Sequence, residues 1–167
     1  FPSGGDESLP MGAALQFQLD LGHKETIPLG PIYLGDEFSD DEILIELKKW
    51  ENRIDFEKYK DIHTYVGSEL NEGKIISRFF GRMEWGARSL GNRSIIADGR
   101  KPKVVQRINE AIKNRDFWMP FAPSILFERV NDYFDNPKDF FGPYMVIAFP
   151  SKPLAKEHLK GAIHPYD

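Results

Sequence analysis

The sequence contains no cysteine among its 167 residues. This absence excludes disulfide bonds, thiol catalysis and zinc sites with cysteine ligands, and it is typical of proteins from a reducing compartment. No run of about 18 apolar residues is present, so the sequence predicts no membrane-spanning helix, and no charged and apolar signal segment opens the chain. The 4 histidines show neither H-x-x-x-H nor H-E-x-x-H spacing, so no self-contained metal motif is present. We therefore expect a cytoplasmic protein.

Positive charge is concentrated in one stretch of the chain. The whole sequence has 22 basic and 26 acidic side chains and a formal net charge of -4. Residues 74–115 contain 11 of the basic side chains and 3 of the acidic ones, a local charge of +8, so the rest of the chain carries -12. Clustered charge of one sign attracts a ligand of the opposite sign. We expect this stretch to bind an anion.

Helical and strand patterns alternate along the chain, which predicts an α/β fold. Gly and Pro are frequent in residues 22–37, which we interpret as a domain boundary. Ser39 and Glu42 have the spacing of a capping box at the start of a helix. The predicted helices cover residues 11–21, 62–70 and the segments that begin at Ser39 and Pro102, and the predicted strands cover residues 74–80, 94–98 and 144–149, the last being the strongest candidate for a buried strand.

The link between the first two predicted strands, residues 81–93, is the part of the sequence that indicates chemistry. Three arginines alternate there with three glycines, a glutamate and an asparagine. Glycine lets backbone amides approach a ligand closely, and an arginine fork can hold two oxygens of a phosphate or carboxylate. A glutamate can fix an arginine or bind a ribose hydroxyl, and an asparagine can both donate and accept hydrogen bonds. The pattern predicts an oxyanion-binding loop.

The residues alone leave other interpretations open. The loop could be a solvated turn whose arginines pair with acidic side chains elsewhere. A second cluster, Lys113 to Arg115, could reach the same ligand, or Lys113 could only complement the C-terminus of a helix. The anion could be nucleic acid, although the basic residues do not follow one helical stripe and the whole chain is acidic. Asp6 follows two glycines and could either ligate a metal or form a turn.

Three blocks of the sequence resemble a known family. Residues 81–95, GRMEWGARSLGNRSI, closely resemble the GRMEFGPRALGNRSI signature of the carbamoyltransferase family that includes nodulation protein U and the antibiotic O-carbamoyltransferases. Residues 1–15 resemble that family's FPAAGDGGLAIGAAL segment, and residues 114–126 are similar to its RPFAPS block. The ending AIHPYD resembles the start of its THVDGTARPQ block. Ala87 and Ser89 depart from the signature, and Trp118-Met119 stand where the family often has Phe-Arg, so one cation is missing there.

The resemblance implies a two-domain enzyme of which this sequence is a part. The family joins a Kae1-like domain of the actin-type ATPase fold to a YrdC-like domain, an open twisted mixed sheet with flanking helices. We expect residues 1–25 to be the tail of the first domain and residues 26–167 to be a YrdC-like domain that is truncated at its C-terminus. The chain starts without Met inside a Gly-rich run and stops after His-Pro-Tyr. Both observations suit a fragment that lacks full transfer activity on its own.

The resemblance also implies a reaction. The YrdC-like domain would use carbamoyl phosphate and ATP to form a carbamoyl-adenylate. The Kae1-like domain would then transfer the carbamoyl group to an acceptor hydroxyl, such as that of a sugar or natural product, with a divalent metal (Fe or Mg) near the nucleotide. The alternative is a non-enzymatic YrdC-like module that binds a nucleotide or double-stranded RNA.

Individual residues acquire expected roles from the same resemblance. Arg82, Arg88 and Arg93 are expected to be catalytic, because they would neutralise the phosphate and the charge that grows on the leaving group. Asp6 matches the metal-ligand aspartate of the family. The expected substrate and nucleotide contacts are Glu84, Gly86, Gly91, Asn92, Ser94, Lys113, Arg115 and His164.

Overall fold

Short helices and two short strands follow one another in the computed structural model, which describes residues 2–25 and 29–163. The α-helices in these residues are α1 (Leu9–Asp20), α2 (Asp40–Lys48), α3 (Ile62–Asn71), α4 (Pro102–Ile108), α5 (Val130–Tyr133) and α6 (Pro153–His158), and the strands are β1 (Ile76–Phe79) and β2 (Arg93–Ile96). Single 3-10 turns lie at Asp6–Ser8 and Phe127–Arg129, and a π-helical turn lies at Asn109–Lys113. The strands pair in one sheet. The predicted α/β class is confirmed.

The described residues divide into two units. The first unit contains the described parts of residues 1–61 and 78–94, and with them α1, α2 and the link between the strands. The second contains the described parts of residues 62–77 and 95–167, and with them α3 to α6. No helix of these residues is long and apolar enough to cross a membrane.

Glycine ends two of the helices where the sequence predicts it. α1 ends at Asp20, and Gly22 follows with a φ of 90°. α3 ends at Asn71, and Gly73 follows with the same φ of 90°. A left-handed residue after a helix lets the chain turn back on the last carbonyls, and glycine adopts that conformation without steric cost. The helices predicted at residues 11–21 and 62–70 are confirmed.

The predicted capping box at the start of α2 is also confirmed. The backbone N–H of Glu42 donates to Ser39 Oγ at 3.3 Å, and the backbone N–H of Ser39 donates to Glu42 Oε2 at 2.8 Å. Two backbone donors that have no partner within the helix are satisfied in this way. The first turn is acidic, which suits the partial positive charge at a helix N-terminus.

A small apolar core in the second unit forms around α4. This helix begins at Pro102, as predicted, and Val104 and Ile108 are 8% and 4% exposed. Gly161 passes close by: its N–H donates to Gly99 O at 2.8 Å. A Cβ atom at Gly161 would lie 2.5 Å from Val105 Cγ2, closer than two carbon atoms can approach. The chain therefore needs glycine at this crossing.

The prediction of a buried strand at residues 144–149 is wrong. The structure has a turn followed by irregular chain there, and the side chains of Val146 and Ile147 are 48% and 41% exposed. Met145 has a φ of 57°, which is incompatible with extended backbone. The contact nearest to strand pairing is an isolated antiparallel bridge between Phe134 and Ser151. An apolar run needs a neighbouring strand to become one, and periodicity cannot show whether that neighbour exists.

Candidate functional site

The link of residues 81–93 folds as an irregular loop that depends on its glycines. Gly81, Gly86 and Gly91 have φ angles of 47°, 107° and 111°. Residues with a Cβ atom rarely adopt these φ angles, so glycine is needed for the path of the backbone at three points. We call residues 81–93 the arginine loop. It lies wholly within the first unit.

The carboxylate of Glu84 organises the second half of the arginine loop. Its Oε1 atom accepts hydrogen bonds from the backbone N–H groups of Leu90 at 2.8 Å, Asn92 at 2.6 Å and Arg93 at 3.2 Å. Burial works to raise the pKa of the Glu84 carboxyl, but backbone hydrogen bonds, including one from its own N–H, outweigh burial and hold that pKa below its ordinary value. Glu84 is therefore an ionised side chain that bonds to the loop itself.

Arg93 closes the two ends of the arginine loop together. Its Nη1 atom donates to Phe80 O at 2.8 Å, and its Nη2 atom donates to Gly81 O at 3.1 Å. The guanidinium carbon lies 3.6 Å from the centroid of the Phe79 ring, which is a cation–π contact. Most of the hydrogen-bonding capacity of Arg93 is thus directed at the backbone. This geometry adds a structural function to the predicted catalytic one.

Asn92 and Ser94 also contact the loop backbone. Asn92 Nδ2 donates to Arg82 O at 2.7 Å, and the N–H of Gly91 donates to Ser94 Oγ at 2.8 Å. The N–H of Phe80 donates to Asn92 O at 3.0 Å, next to the strand pair. These bonds fix the loop without any ligand, which is the preorganisation that an anion-binding loop needs.

Two arginines of the loop differ from Arg93 in having no side-chain partner among the residues that the structure describes. The side chains of Arg82 and Arg88 are exposed, and within the described residues neither guanidinium group has a hydrogen bond or an ion pair. Their charge is therefore available to a ligand, while the backbone that carries them is held in place. The structure separates the three predicted catalytic arginines into one that clamps the loop and two that project from it.

Two structural features at or next to the loop were not anticipated. Residues 32–35 support it through backbone bonds: Trp85 N–H donates to Ile32 O at 2.7 Å, and Gly35 N–H donates to Met83 O at 3.0 Å. No sequence signal indicates this contact, because about 50 residues separate the partners.

The second feature is Arg78, which places its guanidinium 4.5 Å from the centroid of the Phe80 ring. Its Nε atom is buried and has no hydrogen-bond partner among the described residues. The spacing of Arg78 and Phe80, which puts both on one face of an extended chain, was the signal available.

The second predicted cluster lies in the second unit and has its own support. Arg115 Nε donates to Asn109 Oδ1 at 2.7 Å, and its guanidinium lies 4.4 Å from the centroid of the Phe121 ring. Lys113 is exposed and has no ion pair among the described residues. The expected contact at His164 lies outside the described residues.

Asp6 does not form a metal site with its neighbours in the structure. It begins the 3-10 turn Asp6–Ser8, and the nearby Glu7 accepts a hydrogen bond from the Ser3 hydroxyl. Within residues 2–25 and 29–163, no three His, Asp or Glu side chains are grouped closely enough to hold a metal ion. The described residues therefore do not fit a divalent metal by themselves. The metal role of Asp6 stays a prediction that requires further ligands.

Comparison with known proteins covers both units. The family model described as carbamoyltransferase C-terminus matches residues 67–167. An uncharacterized protein of Methanocaldococcus jannaschii is 36% identical over 98% of this chain and 27% of its own length. Nodulation protein NolNO of Sinorhizobium fredii is 35% identical over 97% of this chain and 24% of its length. The 3'-hydroxymethylcephem-O-carbamoyltransferase of Streptomyces clavuligerus is 33% identical over 50% of this chain and 16% of its length. The chain thus spans about a quarter of the length of the first two relatives.

Proposed function

The chain belongs to the carbamoyltransferase family, and we propose that its arginine loop binds the phosphate groups of carbamoyl phosphate and ATP during carbamoyl transfer. One observation carries the proposal. Arg82 and Arg88 are exposed and unpaired among the described residues, while Glu84 and Arg93 fix the loop between them. A loop that is already ordered and carries two unneutralised guanidinium groups suits a ligand rich in phosphate oxygens.

The loop's arginines would act on charge rather than on protons. An arginine stays protonated throughout the physiological range, so it cannot serve as a base. It can, however, neutralise a bound phosphate and stabilise the negative charge that grows on a leaving phosphate or pyrophosphate. In our proposal Arg82 and Arg88 make these contacts, and Glu84, Asn92 and Arg93 hold them in position.

The overall reaction that we propose has two steps. In the first, carbamoyl phosphate, ATP and one water give carbamoyl-adenylate, phosphate and pyrophosphate. In the second, an acceptor hydroxyl oxygen bonds to the carbamoyl carbon, the hydroxyl proton is lost and AMP leaves. The name of the Streptomyces relative, an O-carbamoyltransferase, supports an oxygen acceptor. We assign the first step to the region described here, as a YrdC-like domain, and the second to a Kae1-like domain in the longer chain, in the cytoplasm.

Ligand titration tests the proposal directly. Carbamoyl phosphate and ATP are titrated separately into the full chain and into its Arg82→Ala and Arg88→Ala variants by calorimetry. A hydrogen bond to a charged group contributes about 1.5–3 kcal/mol, so each substitution should weaken binding of at least one ligand about tenfold to hundredfold. Arg107→Ala is the matched control, because Arg107 is an exposed arginine of α4 without a partner among the described residues.

Three outcomes are informative. Weaker binding by the loop variants with unchanged binding by the control would support the proposal. Equal weakening by all three would mean that the effect is general electrostatic attraction to the +8 stretch. Equal binding by the original protein and both loop variants would remove Arg82 and Arg88 from the site.

A further inference from the structure

The backbone has an unusual geometry directly after α4, where Asn109 begins a different type of helical turn. The helix changes to a π-helical turn at Asn109–Lys113, and Asn114 follows in the left-handed region with a φ of 47°. The backbone N–H groups of Asn114 and Arg115 both donate to Asn109 O. π-Helical turns are rare and occur often at functional sites. This turn places the backbone of Arg115 next to that of Asn109, at the start of the π-helical turn.

The side chain of Asn109 is completely buried, and all of its polar atoms have partners. Its exposure is 0%, although asparagine is mostly a surface residue. Nδ2 donates to Phe117 O at 3.1 Å and to Met119 O at 2.9 Å, and Oδ1 accepts from Arg115 Nε at 2.7 Å. Both amide hydrogens and the carbonyl oxygen are therefore used. Asn109 connects the backbone of residues 117–119 to the side chain of Arg115.

These contacts leave the outer part of Arg115 available. Its Nε is bonded to Asn109, and the plane of the guanidinium is held near the Phe121 ring. Within the described residues, neither Nη atom has a hydrogen-bond partner. A guanidinium that is fixed at Nε and against a ring presents its two Nη groups in one direction. Two parallel N–H donors match two oxygens of a phosphate.

We propose that Asn109 is a positioning residue that holds Arg115 so that both Nη groups bind one phosphate group. This inference rests on the proposed function, because it supposes that the protein binds a phosphorylated substrate. The phosphate belongs either to carbamoyl phosphate or to ATP. Asn109 does not touch the ligand and acts through Arg115. Its side-chain amide holds the guanidinium group of Arg115 in one orientation.

Binding measurements on a double-mutant cycle test this role. Carbamoyl phosphate and a non-hydrolysable ATP analogue are titrated into the full chain and its Asn109→Ala, Arg115→Lys and Asn109→Ala/Arg115→Lys variants, below the unfolding temperature of each. Arg115→Lys keeps the charge but removes the fork, so we expect about tenfold weaker binding of the ligand whose phosphate it holds. Asn109→Ala should weaken the same ligand by a similar factor. In the Arg115→Lys background it should add little, because both substitutions remove one interaction.

A spectroscopic readout needs no folded Asn109 variant. In ¹⁵N-labelled protein, the Arg115 side-chain signal is identified by its loss in Arg115→Lys. Addition of carbamoyl phosphate or the ATP analogue should slow rotation of the two Nη groups, while the Nε–H signal stays in place because Asn109 already holds it. Nη rotation that stays unchanged on ligand addition would overturn phosphate binding by Arg115. A purely structural Asn109 would lower stability in Asn109→Ala and leave ligand affinity unchanged.

The outcomes separate this inference from the proposed function. If Arg88→Ala weakens ligand binding and Arg115→Lys weakens the binding of neither ligand, the proposed function stands and the role of Arg115 and Asn109 is overturned. If the two substitutions at Asn109 and Arg115 weaken binding additively, Asn109 does not act through Arg115. If the original protein binds neither ligand, both proposals are wrong. The ligand that loses affinity in Arg115→Lys identifies the phosphate.

Discussion

Removal of the Glu84 carboxylate should loosen the arginine loop without unfolding the rest of the first unit. Three backbone N–H groups, those of Leu90, Asn92 and Arg93, donate to the one Oε1 atom. In Glu84→Ala all three lose their acceptor. A typical hydrogen bond contributes about 1 kcal/mol net, and water can replace part of this at a partly exposed site. We therefore expect the loop to be destabilised by about 2 kcal/mol.

Amide hydrogen exchange measures this destabilisation at the three donors. Because about 1.4 kcal/mol corresponds to a factor of ten, exchange of these amides should accelerate about thirtyfold in Glu84→Ala. Glu84→Gln keeps a carbonyl oxygen but loses the charge, so a smaller acceleration of about fivefold is expected. Glu57→Ala is the control, since Glu57 is exposed in the same unit and its side chain has no partner among the described residues.

The pH dependence of the same amides gives a second check. The pKa of the Glu84 carboxyl is held below its ordinary value of 4.5, because its backbone hydrogen bonds outweigh burial. A lowered pKa means that the charge stabilises the folded loop fully above pH 4.5 and that this contribution fades as the pH falls through the lower, folded value. After correction for intrinsic exchange, the difference between Glu84→Gln and the original protein should disappear at acidic pH. Unchanged exchange of all three amides in Glu84→Ala would refute the role of Glu84 as the organiser of the loop.

Three further predictions concern the fold and the ligand class. Gly161→Ala should destabilise the protein by about 1–3 kcal/mol in chemical denaturation, because the new Cβ would overlap Val105 Cγ2 and overpack the core. Gly67→Ala lies in α3 with open space around its Cβ position and should instead stabilise the protein by about 0.5–1 kcal/mol. A Gly161→Ala protein more stable than the Gly67→Ala protein would contradict this reasoning. Ser39→Ala should speed exchange of the Glu42 amide by removing the cap of α2. Ser68→Ala, within α3, should leave exchange of the Glu42 amide unchanged. Equal effects of the two substitutions would mean that the capping bond does not stabilise α2. Double-stranded RNA should not bind at physiological salt; binding that weakens steeply with added salt would favour the nucleic-acid alternative.

Local signals account for the parts of the molecule that were predicted well. A helix start depends on a side chain three residues from its partner, as with Ser39 and Glu42, and a helix end depends on one glycine such as Gly22. Both devices operate within a single turn of chain, so their residues are visible as a short pattern. The family was also readable, because its signature is a continuous run in residues 81–95, and membership is confirmed by the family match.

Contacts between distant residues account for what was missed. The run 144–149 has the composition of a strand, but composition does not supply the neighbouring strand that it would need. No short sequence pattern distinguishes Asn109 from the other polar residues near it. Its function as a support for Arg115 depends on a π-helical turn and on carbonyls at residues 117 and 119, which only the folded chain brings to its amide.

The sequence alone determined the family, the capped start of α2, the glycine-terminated ends of α1 and α3 and the location of the arginine loop, because each is encoded by residues that are close together in the chain. The tertiary structure decided which contacts each arginine makes. Arg93 contacts the carbonyl of Phe80, 13 residues away, and becomes a clamp, while Arg82 and Arg88 keep their charge exposed. Identical side chains in one motif thus differ in their contacts, because the backbone folds carbonyl groups around one guanidinium and leaves the other two exposed.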